Sequence, residues 1–368
     1  MAKTVRVLIV DDSIVMRQMI KDFLVTAPGI QVVGMASNGR EALRLADELA
    51  PDVITLDIEM PGMDGLSTLD TLLAKRPIAV IMVSSLTQAG AAITLDALER
   101  GAIDYLTKPA HKSEAATVFG QELIRKIRFA ATSDVNRIVR LRKQRAQSLR
   151  MAEPVVKSPT ESLEGPPTLS RACIAIGIST GGPPALTSLF RELKPPLPPI
   201  LVVQHMPPQF TKPFAWRLNS VSRLTVKEAE SGDLVKPNHA YVAPGGFHMA
   251  VQGRSGSARI RIFDGEPVSG HKPSVDVMMS SVAQVFGRRV LGVIMTGMGR
   301  DGANGCRAIR AAGGYVLGQD EATSDVYGMN KVAFVEGNVD RQFPLQEGAR
   351  LIMRYVEEKF LAQPSEVL

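Results

Sequence analysis

Four short apolar runs in the first 110 residues set the fold. VRVLIV (5–10), VITL (53–56), AVIMVS (79–84) and DYLT (104–107) have strand length. Between them lie longer stretches with helical spacing, such as SIVMRQMIKDFLVTA and GREALRLADELA. Strands alternating with helices fold into a parallel sheet with right-handed crossovers and helices on both faces. Function in such sheets gathers at the carboxyl ends of the strands. Those ends here carry Asp11 and Asp12, then Asp57, Ser84 and Lys108. Three carboxylates on one edge repel each other unless a cation neutralises them. An oxygen-only donor set with open positions suits Mg²⁺, which keeps waters and binds phosphates. A carboxylate beside that ion can attack a phosphoryl group, and Lys108 and Ser84 stand where they can hold its oxygens.

The second half repeats the α/β pattern. ACIAIGIS (172–179), PILVVQH (199–205) and VLGVIMTG (290–297) are near-continuous apolar runs, as buried parallel strands require. PNHAYVAPGGFHMAVQ and SARIRIF read as hairpin strands, with Gly245 and Gly246 at a turn.

The loop after the first of these runs, STGGPP, admits three readings: a phosphate cradle, a serine nucleophile on a sharp turn, or a tight strand-to-helix connection. A Walker-type cradle needs Lys and Ser or Thr after the glycines, and prolines follow instead. The dinucleotide pattern fails because Ile178 and Ser179 follow Gly177. Gly177 to Gly181 does match G-x-S-x-G at a strand end, the setting of a nucleophile elbow. That reading expects a strained turn at the serine, and helix N–H groups that favour developing negative charge. A serine nucleophile needs a base and an orienting carboxylate. Of five histidines, His205 alone ends an apolar strand. Asp301 lies past the end of a third run, in a glycine loop. Taken singly, His205 is an edge histidine and Asp301 a helix cap. Together with Ser179 they stand at three strand ends of one sheet.

A length of 368 residues suggests two domains. No apolar run is long enough for a bilayer span, and the N-terminus opens on a strand, not a signal peptide. Cys173 and Cys306 lie in core-like sequence and read as buried thiols, not a disulfide. The net charge of +6 is uneven: residues 1–110 hold 10 Lys+Arg against 14 Asp+Glu, and residues 111–171 hold 12 against 6. The basic stretch RKIRFAATSDVNRIVRLRKQRAQSLR reads as a solvated helical linker, with a contact for an acidic partner as the second reading. Nucleic acid ranks third, because no aromatic residues are interleaved for stacking. Residues 151–170, rich in Pro, Ser and Glu, read as a flexible tether.

LIVDDS, LDIEMPGMDG, MVSS and DYLTKP resemble the receiver domain of two-component response regulators, over about residues 1–127. The resemblance implies that Asp57 accepts phosphate from a histidine kinase. It implies direct Mg²⁺ binding by Asp12, Asp57 and the backbone carbonyl of Glu59, with Asp11 assisting. Ser84 and Tyr105 match the family's switch hydroxyl and aromatic residue, Lys108 its lysine, and Pro109 a cis-proline turn. GISTGG, QHMP and TGMGRDG resemble the catalytic domain of the CheB chemotaxis methylesterases, here residues 171–358 after a linker of residues 128–170. That likeness implies hydrolysis of γ-glutamyl methyl esters on chemoreceptors, and deamidation of receptor glutamines. Ser179 would be nucleophile, His205 general base and Asp301 its partner. Met298 and Thr180 would support the oxyanion, and the esterase reaction would need no cofactor. The family pattern has Asn where Arg300 stands and GMPRAA where GMNKVA places Asn330. The implied fold is a flavodoxin-like (βα)5 receiver joined to a mostly parallel α/β domain with a hairpin region. The implied setting is a cytoplasmic monomer partnered by a kinase and by receptors, with no nucleic acid and no membrane insertion. It also implies a resting receiver packed over the active-site edge until phosphorylation loosens it. A DNA-binding response regulator and an inactive scaffold are the other classes weighed. No helix-turn-helix pattern stands out in the second half to favour the first.

Overall fold

A computed structural model of the chain describes residues 3–85, 87–109, 114–151 and 166–362. It divides into two compact units, Met1–Ser148 and Leu149–Leu368.

The first unit is a five-stranded parallel sheet of β1 (Val5–Val10), β2 (Ile30–Ala36), β3 (Val53–Asp57), β4 (Ala79–Ser84) and β5 (Asp104–Thr107), in the order β2-β1-β3-β4-β5. β3 and β4 are buried along their whole length, which is why they read as unbroken apolar runs. The edge strand β2 is half exposed and was the one the apolar runs did not reveal. Four helices begin where a side chain can take an orphan N–H. Ser13, Asn38, Asp64 and Thr87 each accept from the backbone three residues on. The fifth, Glu114–Thr132, closes the fold.

The basic stretch forms a further helix, Val135–Met151, within which Ile138 and Val139 are buried. Buried Arg142 donates to the carbonyls of Leu98 and Ala102, at the end of the helix Gln88–Arg100. The first unit therefore extends past residue 127, and the expected linker begins inside it. Arg140 and Lys143 are exposed on this helix.

The second unit holds a seven-stranded sheet in the order β14-β13-β12-β6-β7-β9-β8. Its strands are β6 (Cys173–Ile178), β7 (Ile200–Gln204), β8 (Thr225–Glu228), β9 (His239–Val242), β12 (Val290–Ile294), β13 (Tyr315–Gln319) and β14 (Arg341–Phe343), and every pairing is parallel. The remaining strands, β10 (His248–Gln252) and β11 (Arg259–Phe263), form a separate antiparallel pair. The expected hairpin region is therefore present, but β9 is not part of it: β9 pairs with β7 and β8 in the main sheet, so Gly245 and Gly246 connect the two sheets and do not turn a hairpin. Tyr241 and Val242 are buried, so β9 needs an interior position.

Cys173 and Cys306 are free and buried, and burial pushes both thiols far above their usual range. The cis peptide bonds among the described residues are Pro195–Pro196 and Lys272–Pro273; the turn expected at Pro109 is not one of them. No helix among the described residues is long and apolar enough to cross a membrane.

Candidate active site

Register alone brings two of the candidate residues together. β6 and β7 pair with Ile178 opposite Gln204, so Ser179 and His205 are the next residues on adjacent strands. The His205 N–H donates to the Ile178 carbonyl at 3.2 Å, and the Gln204 amide donates to the Ser179 carbonyl at 3.0 Å. On the other side β6 pairs with β12, and the Ser179 N–H donates to Thr296 at 3.0 Å. Ser179 is buried and fixed from both flanks.

The turn after Ser179 differs from a nucleophile elbow. The left-handed residue is Gly181 (φ 79°), and Ser179 is not among the positive-φ residues. A β-carbon at Gly181 would lie 2.6 Å from that of Asp325, so both conformation and space require glycine there. The helix Gly182–Glu192 follows, yet its N-terminus is poor in donors. The Gly182 N–H is committed to the Ser179 carbonyl at 2.8 Å, and Pro183 and Pro184 have none. Charge stabilisation from that helix is therefore weaker than the motif suggests.

His205 Nε2 lies 2.8 Å from Asp301 Oδ2. A carboxylate only accepts, so in the neutral ring Nε2 carries the proton and Nδ1 the lone pair. Nδ1 is buried with no hydrogen-bond partner, the open acceptor that a base requires. Asp301 is fully buried, and the cap reading is reversed. Asp301 precedes the helix Ala303–Ala311 but accepts from the start of another, Val275–Phe286. Ser274 Oγ and the N–H groups of Val275 and Asp276 donate to it at 2.8, 2.7 and 3.0 Å. Burial alone would raise its pKa. The His205 hydrogen bond and charge, with the backbone donors, outweigh burial and hold it below the usual range.

Asp276 returns the arrangement, accepting from Gly302 and Gly305 at 2.9 and 2.7 Å. Burial, with the nearby Asp301 charge adding, raises the Asp276 pKa. Each carboxylate thus sits at the N-terminus of the other's helix, where the dipole favours negative charge. Met298, half-buried, follows Gly297, whose N–H and C=O are taken by Val326 and Met329. Thr180 is half-buried, and its carbonyl accepts from Thr296 Oγ1.

In the first unit, carboxylate oxygens of Asp11, Asp12 and Asp57 lie within 4.8 Å of one another. Asp11 and Asp57 are buried and Asp12 exposed, so the cluster has an open side. Lys108 Nζ lies 2.8 Å from both buried carboxylates. Burial opposes its charge, but the two carboxylates raise its pKa above the usual value. The Asp57 pKa is pushed up to about 6, mainly by burial, with the Asp11 charge adding and Lys108 opposing. Close-set hard oxygen donors with one open face fit a Mg²⁺ ion. The Glu59 side chain is exposed, and its backbone N–H bonds Asp57. Ser84 is buried at the end of β4. Tyr105 already lies inside: it is 5% exposed, its ring is 5.0 Å from Lys126 Nζ, and burial raises its phenol.

Comparison with known proteins places both halves of the chain in known families. Residues 174–352 match the family model "CheB methylesterase", and residues 7–119 match "Response regulator receiver domain". A protein-glutamate methylesterase/protein-glutamine glutaminase of Archaeoglobus fulgidus is 45% identical over 96% of this chain and 99% of its own. One of Pectobacterium atrosepticum is 44% identical over 98% and 97%. This chain belongs to the CheB methylesterase family. The solved catalytic domain of Thermotoga maritima CheB methylesterase is 38% identical over 50% of this chain and 98% of that one, with a TM-score of 0.49.

Within this chain, the histidines not chosen have other partners. His239 and His248 bond the carbonyls of Pro237 and Glu266 at 2.8 and 2.9 Å. His111 lies outside the described residues. His271 stacks on His205. Asp276 and Ser274 were also missed, because their roles depend on helix ends brought together from distant sequence. Arg300 points to the surface and pairs with Glu336 at 2.9 Å. Asn330 is buried and donates to the Gln319 carbonyl and Ser324 Oγ at 2.7 and 2.8 Å. Gln319 in turn accepts from the Thr296 N–H at 3.0 Å, so Asn330 braces the segment against which Ser179 is held.

Proposed function

We propose that this chain is a phosphorylation-activated hydrolase. It removes methyl esters from glutamyl side chains of chemoreceptors, and deamidates receptor glutamines, within chemotaxis-type signalling. The observation that carries the reading is the 2.8 Å His205–Asp301 hydrogen bond beside Ser179. Ser179 attacks the ester carbonyl while His205 Nδ1 takes its proton. Asp301 holds the ring and favours the imidazolium that forms. The Met298 backbone N–H and the peptide at Thr180 are assigned to the oxyanion, a role that the proline-blocked helix end makes more demanding. His205 returns the proton to departing methanol, or to ammonia from glutamine. Water then releases the glutamate by the same steps.

Residues 1–127 are read as the receiver and 171–358 as the esterase domain; of the 128–170 segment read as linker, the part up to Ser148 belongs to the first compact unit. Asp11, Asp12, Asp57 and the Glu59 carbonyl would hold Mg²⁺, which when bound offsets the charge of an incoming phosphoryl group. Asp57 accepts the phosphoryl group from a histidine kinase, and Lys108 pairs with it. Ser84 and Tyr105 form the switch; because Tyr105 is already inside, Ser84 carries more of the expected motion. The enzyme acts in the cytoplasm as a monomer.

The test is methanol release from methylated receptors, with and without a phosphodonor such as acetyl phosphate. Ser179-dependent release that rises with phosphodonor supports the reading; sequence-specific DNA binding with no release would replace it. If the receiver masks the site, residues 169–368 alone should outpace the resting full-length enzyme and ignore phosphodonor. A tenfold activation needs only about 1.4 kcal/mol of bias, within reach of one phosphoryl group. A folded fragment no faster than the resting enzyme would favour a stimulatory contact instead.

A further inference from the structure

The strongest unexplained contact in the second unit is between two imidazoles. The rings of His205 and His271 lie face to face, with centroids 3.7 Å apart and planes 6° from parallel.

The backbone builds this contact deliberately. His271 closes a two-residue hairpin with Val268: the His271 N–H donates to the Val268 carbonyl at 2.9 Å, and the Val268 N–H returns at 3.1 Å. The central residues Ser269 and Gly270 have φ of 53° and 78°, the left-handed pair of a type I′ turn. Left-handed backbone is costly for serine, so the turn needs support from its surroundings. Ser269 Oγ supplies some of it, donating to Asp276 Oδ2 at 3.2 Å. Asp276 also takes the Gly302 N–H, the residue after Asp301. On the other flank the Lys272 carbonyl accepts from Gly246 at 3.2 Å. The hairpin that carries His271 is thus tied to the segment that carries Asp301.

The Asp301 hydrogen bond fixes one corner of the His205 ring. It restrains tilt about that corner weakly, because hydrogen bonds tolerate broad angles. A flat ring against the face restrains the tilt directly and excludes water from that side. Nδ1 must keep one direction to receive the Ser179 proton, so the plane of the ring matters as much as its tether.

We propose that His271 is a positioning residue for the general base, holding the His205 ring plane by stacking, with Asp301 as the other restraint. The catalytic part of this inference rests on the reading of Ser179 and His205 given above; the geometric part does not.

The test uses the full chain and the variants His271→Ala, His271→Phe and Ser179→Ala. Two quantities are read: kcat and KM for methanol release with phosphodonor, and the low-field ¹H resonance of the proton between His205 and Asp301. His271→Ala should lower kcat about tenfold to a hundredfold with little change in KM, and should broaden the resonance. His271→Phe keeps a flat ring and should restore most of both. A role in folding alone would lower the melting temperature without moving the resonance of the folded protein. If His271→Ala does not fold, His271→Phe decides. Failure of a well-folded His271→Phe to hold the resonance or kcat overturns the proposal, as does a His271→Ala variant with both unchanged. If the parent gives no Ser179-dependent methanol, the esterase reading fails. The resonance then still shows whether His271 positions His205.

Discussion

Ser179→Ala should lose about four orders of magnitude or more of methanol release while still accepting phosphate at Asp57. The size of the effect follows from what the oxygen does. In the proposed mechanism it is the atom that forms the bond to carbon, so neither His205 nor Asp301 compensates for its loss. The fold should not suffer. The backbone of Ser179 makes the structural bonds, to Thr296, Gln204 and Gly182, and alanine keeps all of them. A thermal melt matching the parent would separate lost chemistry from lost structure. Near-normal methanol release from the variant would remove Ser179 from the mechanism. Activity about 10³- to 10⁴-fold above the uncatalysed rate would be the residual expected of a site that still binds substrate and its oxyanion.

Both sites were legible because each is built on buried parallel strands, whose apolar runs announce their ends. Asp57, Ser84, Ser179 and His205 all stand at or within one residue of such an end. Register then did most of the assembly, as the pairing of Ile178 with Gln204 shows. What stayed hidden depends on contacts across long sequence separations. Asp301 looked like a cap of its own helix, and nothing local told that it faces the N-terminus at Val275. Nothing local marked His271 either, because a tight turn in polar sequence has no periodicity to read. The G-x-S-x-G string pointed to the serine that strand register sets beside His205, but for a partly mistaken reason. The left-handed strain falls on Gly181, and prolines at the helix start remove the donors the motif promised. β9 was misjudged because four residues flanked by glycine and proline do not reveal whether their partner strand runs parallel or antiparallel.

Asp57→Asn should abolish phosphate incorporation from acetyl phosphate or kinase, and chelation of Mg²⁺ should do the same to the parent. The asparagine is nearly isosteric and keeps an oxygen for Lys108, so the edge should remain folded while its nucleophile is gone. The raised Asp57 pKa of about 6 adds a pH signature. Above that value the carboxylate is free to receive the cation. Below it a proton must be displaced first, so apparent Mg²⁺ affinity should fall by about tenfold per pH unit. Titrating Mg²⁺ between pH 5 and pH 8 would measure this, and the Asp57→Asn protein should bind weakly throughout without that slope. The origin of the raised value makes the prediction specific. Burial is its largest cause and the Asp11 charge adds to it, while Lys108 and the Glu59 N–H oppose. Substituting Asp11→Asn should therefore move the break to lower pH even as it removes a ligand oxygen. Phosphate incorporation that persists in Asp57→Asn would show another residue to be the acceptor. Asp12 would be the first to examine, because it is the exposed member of the cluster.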